Sequence, residues 1–215
     1  MLKKIVLAAA ATFAMTLPAQ AATIVVDGIG AISTVPNANN YKGQLAGLGL
    51  TGLALNYGSV TISGAPANVS VFRVASESGF HNTLTAFGSG PFAEPGPQPV
   101  SGWTPNDLLL TSVFSGSLSG AINFFSNGAG GATTFNSQQL GIFLPTGFQG
   151  SQFVTNNLWV GFDDSAFISP FDDHDDYIIR ISAVPEPATW LTLIAGFGMV
   201  GFQMRRRRGR VISVA

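Results

Sequence analysis

Apolar and polar positions alternate along residues 22–183. Val69, Val71 and Arg73 fall on one side of an extended chain, with Ser70, Phe72 and Val74 on the other. Tyr177, Ile179 and Ile181 oppose Ile178, Arg180 and Ser182 in the same way. A period of two is the mark of a strand with one face buried. Glycine, serine, threonine, asparagine and proline interrupt these runs every few residues, so the runs are short and turn-bounded. The pattern predicts strands at Thr23–Val26, Leu53–Leu55, Ser59–Ser63, Val69–Ala75, Thr83–Phe87, Leu108–Phe114, Ala121–Phe125, Leu140–Phe143, Leu158–Phe162 and Tyr177–Ala183. Short strands at this spacing imply an all-β, antiparallel sandwich or jelly roll. No repeat of fixed period argues for a solenoid. Gly88–Pro105 carries five prolines and reads as an extended surface excursion, and Asn127–Gly131 reads as a turn. The 17 phenylalanines are spread over many strands, as side chains of a sheet-packed core are.

The two ends follow other patterns. Met1-Leu2-Lys3-Lys4 is a basic start, Ile5–Leu17 an apolar run, and Ala19-Gln20-Ala21 a small-x-small site. Together they predict a signal peptide over 1–21, cut after Ala21, which routes the chain through the Sec translocon to signal peptidase. At the other end the run Ala188–Met204 is broken only by Thr189, Thr192 and Gln203, and Arg205–Arg208 follow it directly. An apolar helix closed by a basic cluster predicts a single transmembrane segment over 188–204, at the short limit of a span, with its arginines in the cytoplasm. The organisation expected is therefore a signal peptide at 1–21 and an exported β domain at 22–183. After these come a C-terminal segment at 184–208 and a cytoplasmic tail at 209–215.

Charge sharpens that division. Between Ala22 and Pro187 only Lys42, Arg73 and Arg180 are basic, against all eleven acidic residues, which leaves the exported region at −8. So acidic a surface is not a nucleic-acid binder, and it attracts divalent cations. The chain has no cysteine, which removes disulfides, thiol catalysis and thiolate metal sites. Six carboxylates crowd one stretch: Asp163, Asp164, Asp172, Asp173, Asp175 and Asp176, between two apolar runs. Closely spaced hard oxygens repel one another and suit calcium, although the spacing is not that of an EF-hand. Aspartates that cap the turns of a solvated loop are the alternative. His174 within this stretch reads as an exposed turn residue, and His81 has no histidine or cysteine near it in sequence to build a metal site.

Catalytic patterns do not assemble. Gly116-Ser117-Leu118-Ser119-Gly120 has leucine where a nucleophile elbow needs serine. Glu77, Glu94 and Asp107 are separate carboxylates with nothing in the sequence to pair them. Gly196-Phe197-Gly198-Met199-Val200-Gly201 has the glycine spacing of a dinucleotide loop but lies inside the apolar run, where glycines let helices approach closely. The aromatic side chains offered for sugar stacking are Trp103, Trp159 and Tyr41. Trp159 sits mid-strand and reads as core, which leaves Trp103 the better platform.

Pro185-Glu186-Pro187-Ala188-Thr189-Trp190, then Ile194–Gly201, then Arg205–Arg208 resemble the PEP-CTERM sorting signal, in the variant with tryptophan three positions after the second proline. Leu191 stands where that variant has alanine, and Val211–Ala215 extend beyond the basic cluster, which is normally almost terminal. The resemblance covers roughly the last thirty residues. It implies that an exosortase, a membrane-embedded cysteine protease or transpeptidase, recognises Pro185, Glu186, Pro187 and Trp190 at the inner membrane of a Gram-negative bacterium. Arg205, Arg206, Arg207 and Arg208 hold the stalled tail, and the released protein passes to the cell surface or the extracellular exopolysaccharide matrix. Val74–Thr83, and Trp159–Asp164 followed by Asp172–Arg180, are similar to segments of β-sandwich passenger domains that carry this signal. The expected function is then a non-enzymatic surface or biofilm-matrix protein. The alternative is a secreted carbohydrate-binding module, calcium-assisted, with Trp103 as its platform.

Overall fold

The computed structural model describes residues 22–34, 45–46, 51–95, 100–128, 132–165, 174–185 and 187–208. The predicted signal peptide with Ala19 and Ala21, and the tail at 209–215, lie outside them, as do Tyr41, Lys42, Asp172, Asp173 and Glu186. Ala22–Val184 form one compact unit, and the C-terminal helix belongs to another.

Among its described residues the Ala22–Val184 unit is strand in its regular structure, apart from the helical pair Leu45 and Ala46. In chain order the strands are β1 (Thr23–Thr34), β2 (Leu53–Ser78), β3 (Asn82–Ala86), β4 (Ser89–Ala93), β5 (Val100–Ser117), β6 (Ile122–Ser126), β7 (Ala132–Thr134), β8 (Leu140–Pro145), β9 (Phe153–Thr155), β10 (Asn157–Phe162) and β11 (Tyr177–Pro185). Seven of them form one sheet in the order β11-β10-β8-β2-β1-β9, with β5 added on β2. The other four form a second sheet in the order β4-β3-β6-β7. The strand pairs with a recorded register are antiparallel.

The alternation read from sequence fixes which side chains meet between the sheets. Leu140, Ile142 and Leu144 of β8, Leu158, Val160 and Phe162 of β10, and Tyr177, Ile179 and Ile181 of β11 all turn to one side. They join Leu84, Ala86, Ile122 and Phe124 of the second sheet in a single buried cluster. Two antiparallel sheets sharing one core is the relation a sandwich requires. Phe124 lies at its centre, stacked on Phe162 (ring centroids 5.2 Å apart, planes at 25°) and edge-on to Tyr177 (5.8 Å, 76°). The intervening positions build a smaller cluster on the far face of the larger sheet, from Leu55, Val74, Phe143 and Ile178 under Leu45, with Trp159 against it.

Three of the expected strands are one. Leu53–Leu55, Ser59–Ser63 and Val69–Ala75 are successive parts of β2, which runs 26 residues. Its first part pairs with β1 and β8, and the rest with β5. The join is a register break between Ile62 and Ala67, where Gly64 takes φ 95°. Only glycine adopts that conformation without a steric penalty, so the strand bends there without ending. The proline-rich excursion is also corrected. Ser89–Ala93 is β4, and Val100–Pro105 is the start of β5, paired with the end of β2. Prolines at the rim of a sheet leave the unpaired edge free of donors, so they do not exclude strand.

The helix α1 spans Pro187–Arg208. Proline at its first position forfeits no helical hydrogen bond, and the arginines complete its last turn, where positive charge opposes the helix dipole. Its apolar side chains are exposed, Phe197 at 71% and Phe202 at 69%. Among the described residues no helix is long and apolar enough to cross a membrane. Three glycines, two threonines and Gln203 dilute the hydropathy of α1.

Phe124→Ala is expected to destabilise the exported unit by about 3–5 kcal/mol, the range for emptying a fully buried aromatic site. Chemical denaturation of the two proteins checks it.

Candidate functional site

One end of the sandwich gathers polar side chains that the sequence scatters. β2 delivers Ser76 and Ser78 on one face, two positions apart. Asn82 opens β3, and Glu94 closes the β3–β4 hairpin opposite it. Asp163 and Asp164 follow β10, and Asp175 and Asp176 precede β11. Ser76, Ser78, Asn82, Glu94, Asp163, Asp164 and Asp175 are all buried. Burying this many polar groups is tolerable only where hydrogen bonds replace water.

Those bonds tie the two sheets together. Ser76 Oγ donates to a Glu94 carboxylate oxygen and lies 2.8 Å from the Asp176 carbonyl. Asn82 N donates to Glu94 Oε2 at 2.9 Å. Asp164 Oδ2 accepts from Ser78 Oγ at 2.5 Å and from Asn82 Nδ2 at 2.8 Å. Asp176 Oδ2 accepts from Asp164 N at 2.9 Å, and Asp163 Oδ1 accepts from Ser165 N at 2.8 Å. The backbone repeats the connection: Glu77 N donates to Asp175 O at 3.1 Å, and Asp163 N to Gln139 O at 2.9 Å. Charge-assisted bonds of this kind are about twice as strong as neutral ones.

Of the six aspartates singled out in sequence, the fold brings three together. Asp163, Asp164 and Asp176 each offer a carboxylate oxygen, and these oxygens lie within 4.8 Å of one another. Asp175 is buried beside them in sequence, and its carbonyl holds Glu77. One capping bond of the kind expected from a turn aspartate is present too, from Ser165 N to Asp163 Oδ1, whereas Asp176 accepts from Asp164 N twelve residues away.

Sequence alone misses Ser76, Ser78, Asn82 and Glu94 as members of this cluster. The available signal is two serines at i and i+2 directly after Phe72 and Val74 on one strand face, a change of chemistry without a change of period. His174 is a correction. Expected in solvent, it is wholly buried at φ 54°, with Nε2 2.8 Å from the Gln138 carbonyl. Two glycines make room for it. A Cβ on Gly161 would lie 2.0 Å from the His174 carbonyl oxygen, and one on Gly141 would lie 2.8 Å from its ring.

The remaining candidates are placed separately. Asp107 forms an ion pair with Arg73, whose guanidinium also donates to Ala93 O at 3.0 Å, whereas Glu94 belongs to the buried cluster. His81 is exposed; its N–H donates to Asn127 Oδ1 at 2.9 Å, and its carbonyl accepts from Asn127 N at 3.1 Å. Trp103 pairs with Ala75 along β5, and its side chain lies outside the described residues. Trp159 is half-buried against the smaller core. Arg180, opposite it on β11, lies 4.1 Å from the Phe72 ring centroid, and burial lowers its pKa. Pro185 is the last residue of β11 and Pro187 the first of α1; the side chains of Trp190, Arg206, Arg207 and Arg208 lie outside the described residues, and Arg205 is exposed.

Tyr177 links the cluster to the core. Its hydroxyl donates to Phe92 O at 3.3 Å. Burial pushes its phenol up to about 12; the Arg73 charge opposes this and the Glu94 charge adds to it.

Residues 183–208 match the family model of the PEP-CTERM protein-sorting motif. No curated protein and no solved structure matches the chain.

The Tyr177 shift sets an alkaline limit. The unfolded phenol loses its proton near pH 10 and the folded one near 12, so stability falls as pH rises across that window. The loss expected is up to about 3 kcal/mol by pH 12. Tyr177→Phe keeps the ring and removes the titration. Denaturation curves from pH 9 to 12 should be flatter for the variant than for the parent.

Proposed function

From the premise that residues 183–208 are a PEP-CTERM protein-sorting motif, the mark of an exported exosortase substrate, we propose that this chain is a non-enzymatic cell-surface or exopolysaccharide-matrix protein of a Gram-negative bacterium. The sorting motif is the observation that carries the reading. The Sec translocon exports the chain, signal peptidase cuts after Ala21, and the C-terminal segment lodges in the inner membrane with Arg205–Arg208 on the cytoplasmic side. Exosortase then takes Pro185-Glu186-Pro187 and separates the β domain from the helix.

The physical features of the segment support each step. Each proline lacks a backbone N–H and sits at the edge of a regular element, Pro185 at the end of β11 and Pro187 at the start of α1, and a protease cleft can take such a junction as an extended chain. Ile194, Phe197, Phe202 and Met204 are all more than 60% exposed, a surface suited to lipid or to a membrane-embedded partner and not to water. The three glycines of α1 provide a face on which a partner helix can approach closely. The segment is short and diluted for a permanent anchor, which fits an address that is read and then removed.

The passenger supports a structural role. Its acidic side chains are largely built into the sandwich: Asp107 in an ion pair, Glu94 and Asp164 in bonds between strands.

Replacing Pro185, Glu186 and Pro187 with alanine should leave full-length protein in the inner-membrane fraction of an exosortase-bearing host, while the parent is released. Immunoblots of membrane, surface and medium fractions distinguish the two. Unchanged release of the variant refutes the assignment of these residues.

A further inference from the structure

The strongest unassigned feature of the molecule is the buried end of the sandwich. Asp163 is 2% exposed and Asp164 5%, and their carboxylates converge with that of Asp176. Three carboxylates within 4.8 Å repel one another strongly in a poorly solvated site. Ser78, Asn82 and the backbone N–H groups of Asp164 and Ser165 donate to them.

A second observation points to a ligand. Asn82 is 1% exposed, and its Oδ1 is buried with no hydrogen-bond partner. The Nδ2 of the same amide rests on Asp164 Oδ2 at 2.8 Å and on Ser78 Oγ at 2.8 Å. The side chain that touches Asp164 through its Nδ2 thus also carries the unanswered carbonyl oxygen. A buried amide oxygen left unmade costs about 1–3 kcal/mol. An oxygen-seeking cation answers this oxygen and the carboxylate repulsion together.

We propose that Asp163, Asp164 and Asp176, with Asn82 Oδ1, form a calcium-binding site that joins the two sheets. All four donors are hard oxygens, and a set of carboxylates with an amide carbonyl is what calcium takes, its remaining positions being filled by water. Magnesium, which demands a tighter octahedron and dehydrates reluctantly, fits this set less well. The placement gives the ion a structural role. Asn82 comes from the smaller sheet, and the aspartates flank β10 and β11 of the larger one, so one ion clamps both layers where β2 leaves the sheet. A weak site suffices, because extracellular modules work at 10⁻⁴–10⁻³ M calcium. The site goes beyond the sorting assignment and does not depend on it.

The test is a calcium titration of the purified full chain in mild detergent, read by thermal melting and by isothermal calorimetry. Asp176→Asn is the informative variant. It is half-buried and isosteric, and its amide oxygen can still accept from Asp164 N, so the fold should survive. At a hundredfold excess over Kd, calcium should raise the melting temperature of the parent by on the order of 5 °C. Magnesium should act more weakly. In Asp176→Asn the calcium shift should fall at least severalfold, while melting without metal stays equal or rises as repulsion is relieved. Asn82→Asp, which supplies a charged oxygen, should raise calcium affinity. The site is refuted by no shift and no heat at ~10 mM calcium. An equal shift in Asp176→Asn, or the same shift from sodium chloride of matched ionic strength, refutes it as well. Should Asp176→Asn not fold, Asp163→Asn, whose Oδ1 can still accept from Ser165 N, decides the matter: a calcium shift equal to the parent's overturns the assignment.

Discussion

The constraint that the rest of the exported unit depends on is the path of β2. Its 26 residues pair with β1 and β8 at one end and with β5 over the remainder, so most of the larger sheet hangs on one bent strand. A strand of that length cannot stay straight and remain in a compact sheet, because twist accumulates along it. The break at Gly64 redirects it, and the chain beyond emerges at the end of the sandwich where β3 begins. Ser76 and Ser78 are carried there at the alternate positions that continue from Phe72 and Val74, so the strand that packs the core also delivers two buried serines to the polar cluster.

That geometry explains what sequence could and could not show. The two faces of β11 and of the middle of β2 were legible, because period-two alternation over apolar residues has one physical reading. Fusion of three runs into β2 was not legible, because Gly64, Ala65 and Pro66 look the same whether a strand bends or stops. β4, β7 and β9 are three to five residues long and lie at sheet edges, where half-exposed side chains blur the alternation. At the candidate site the aspartates announced themselves by crowding, but their partners did not. Asn82 lies 82 residues from Asp164, and only the pairing of β2, β3 and β10 into two facing layers brings them together. His174 was misplaced for a related reason. Local polarity argues for solvent, while the space left by Gly141 and Gly161 on neighbouring strands is a property of the sheet.

Charge and hydrophobicity are segregated along this chain with unusual completeness, and the segregation has a mechanical sense. A basic cluster at the end of an apolar helix resists passage through a membrane, and an acidic domain does not. The acidic unit carries its carboxylates together at one buried end of its own fold, so the charge that distinguishes it from the helix is built into its structure.

The exposed surface of α1 completes the argument. Side chains such as Phe197 and Phe202, left in water, would drive association through their apolar area, about 25 cal/mol for each Å² buried. A soluble acidic domain that kept this helix would therefore be held at a membrane or drawn into aggregates. On the proposed function, removing the helix would separate an apolar segment suited to lipid from a charged sandwich suited to water, and Pro185-Glu186-Pro187 marks that boundary, Pro185 as the last residue of β11 and Pro187 as the first of α1.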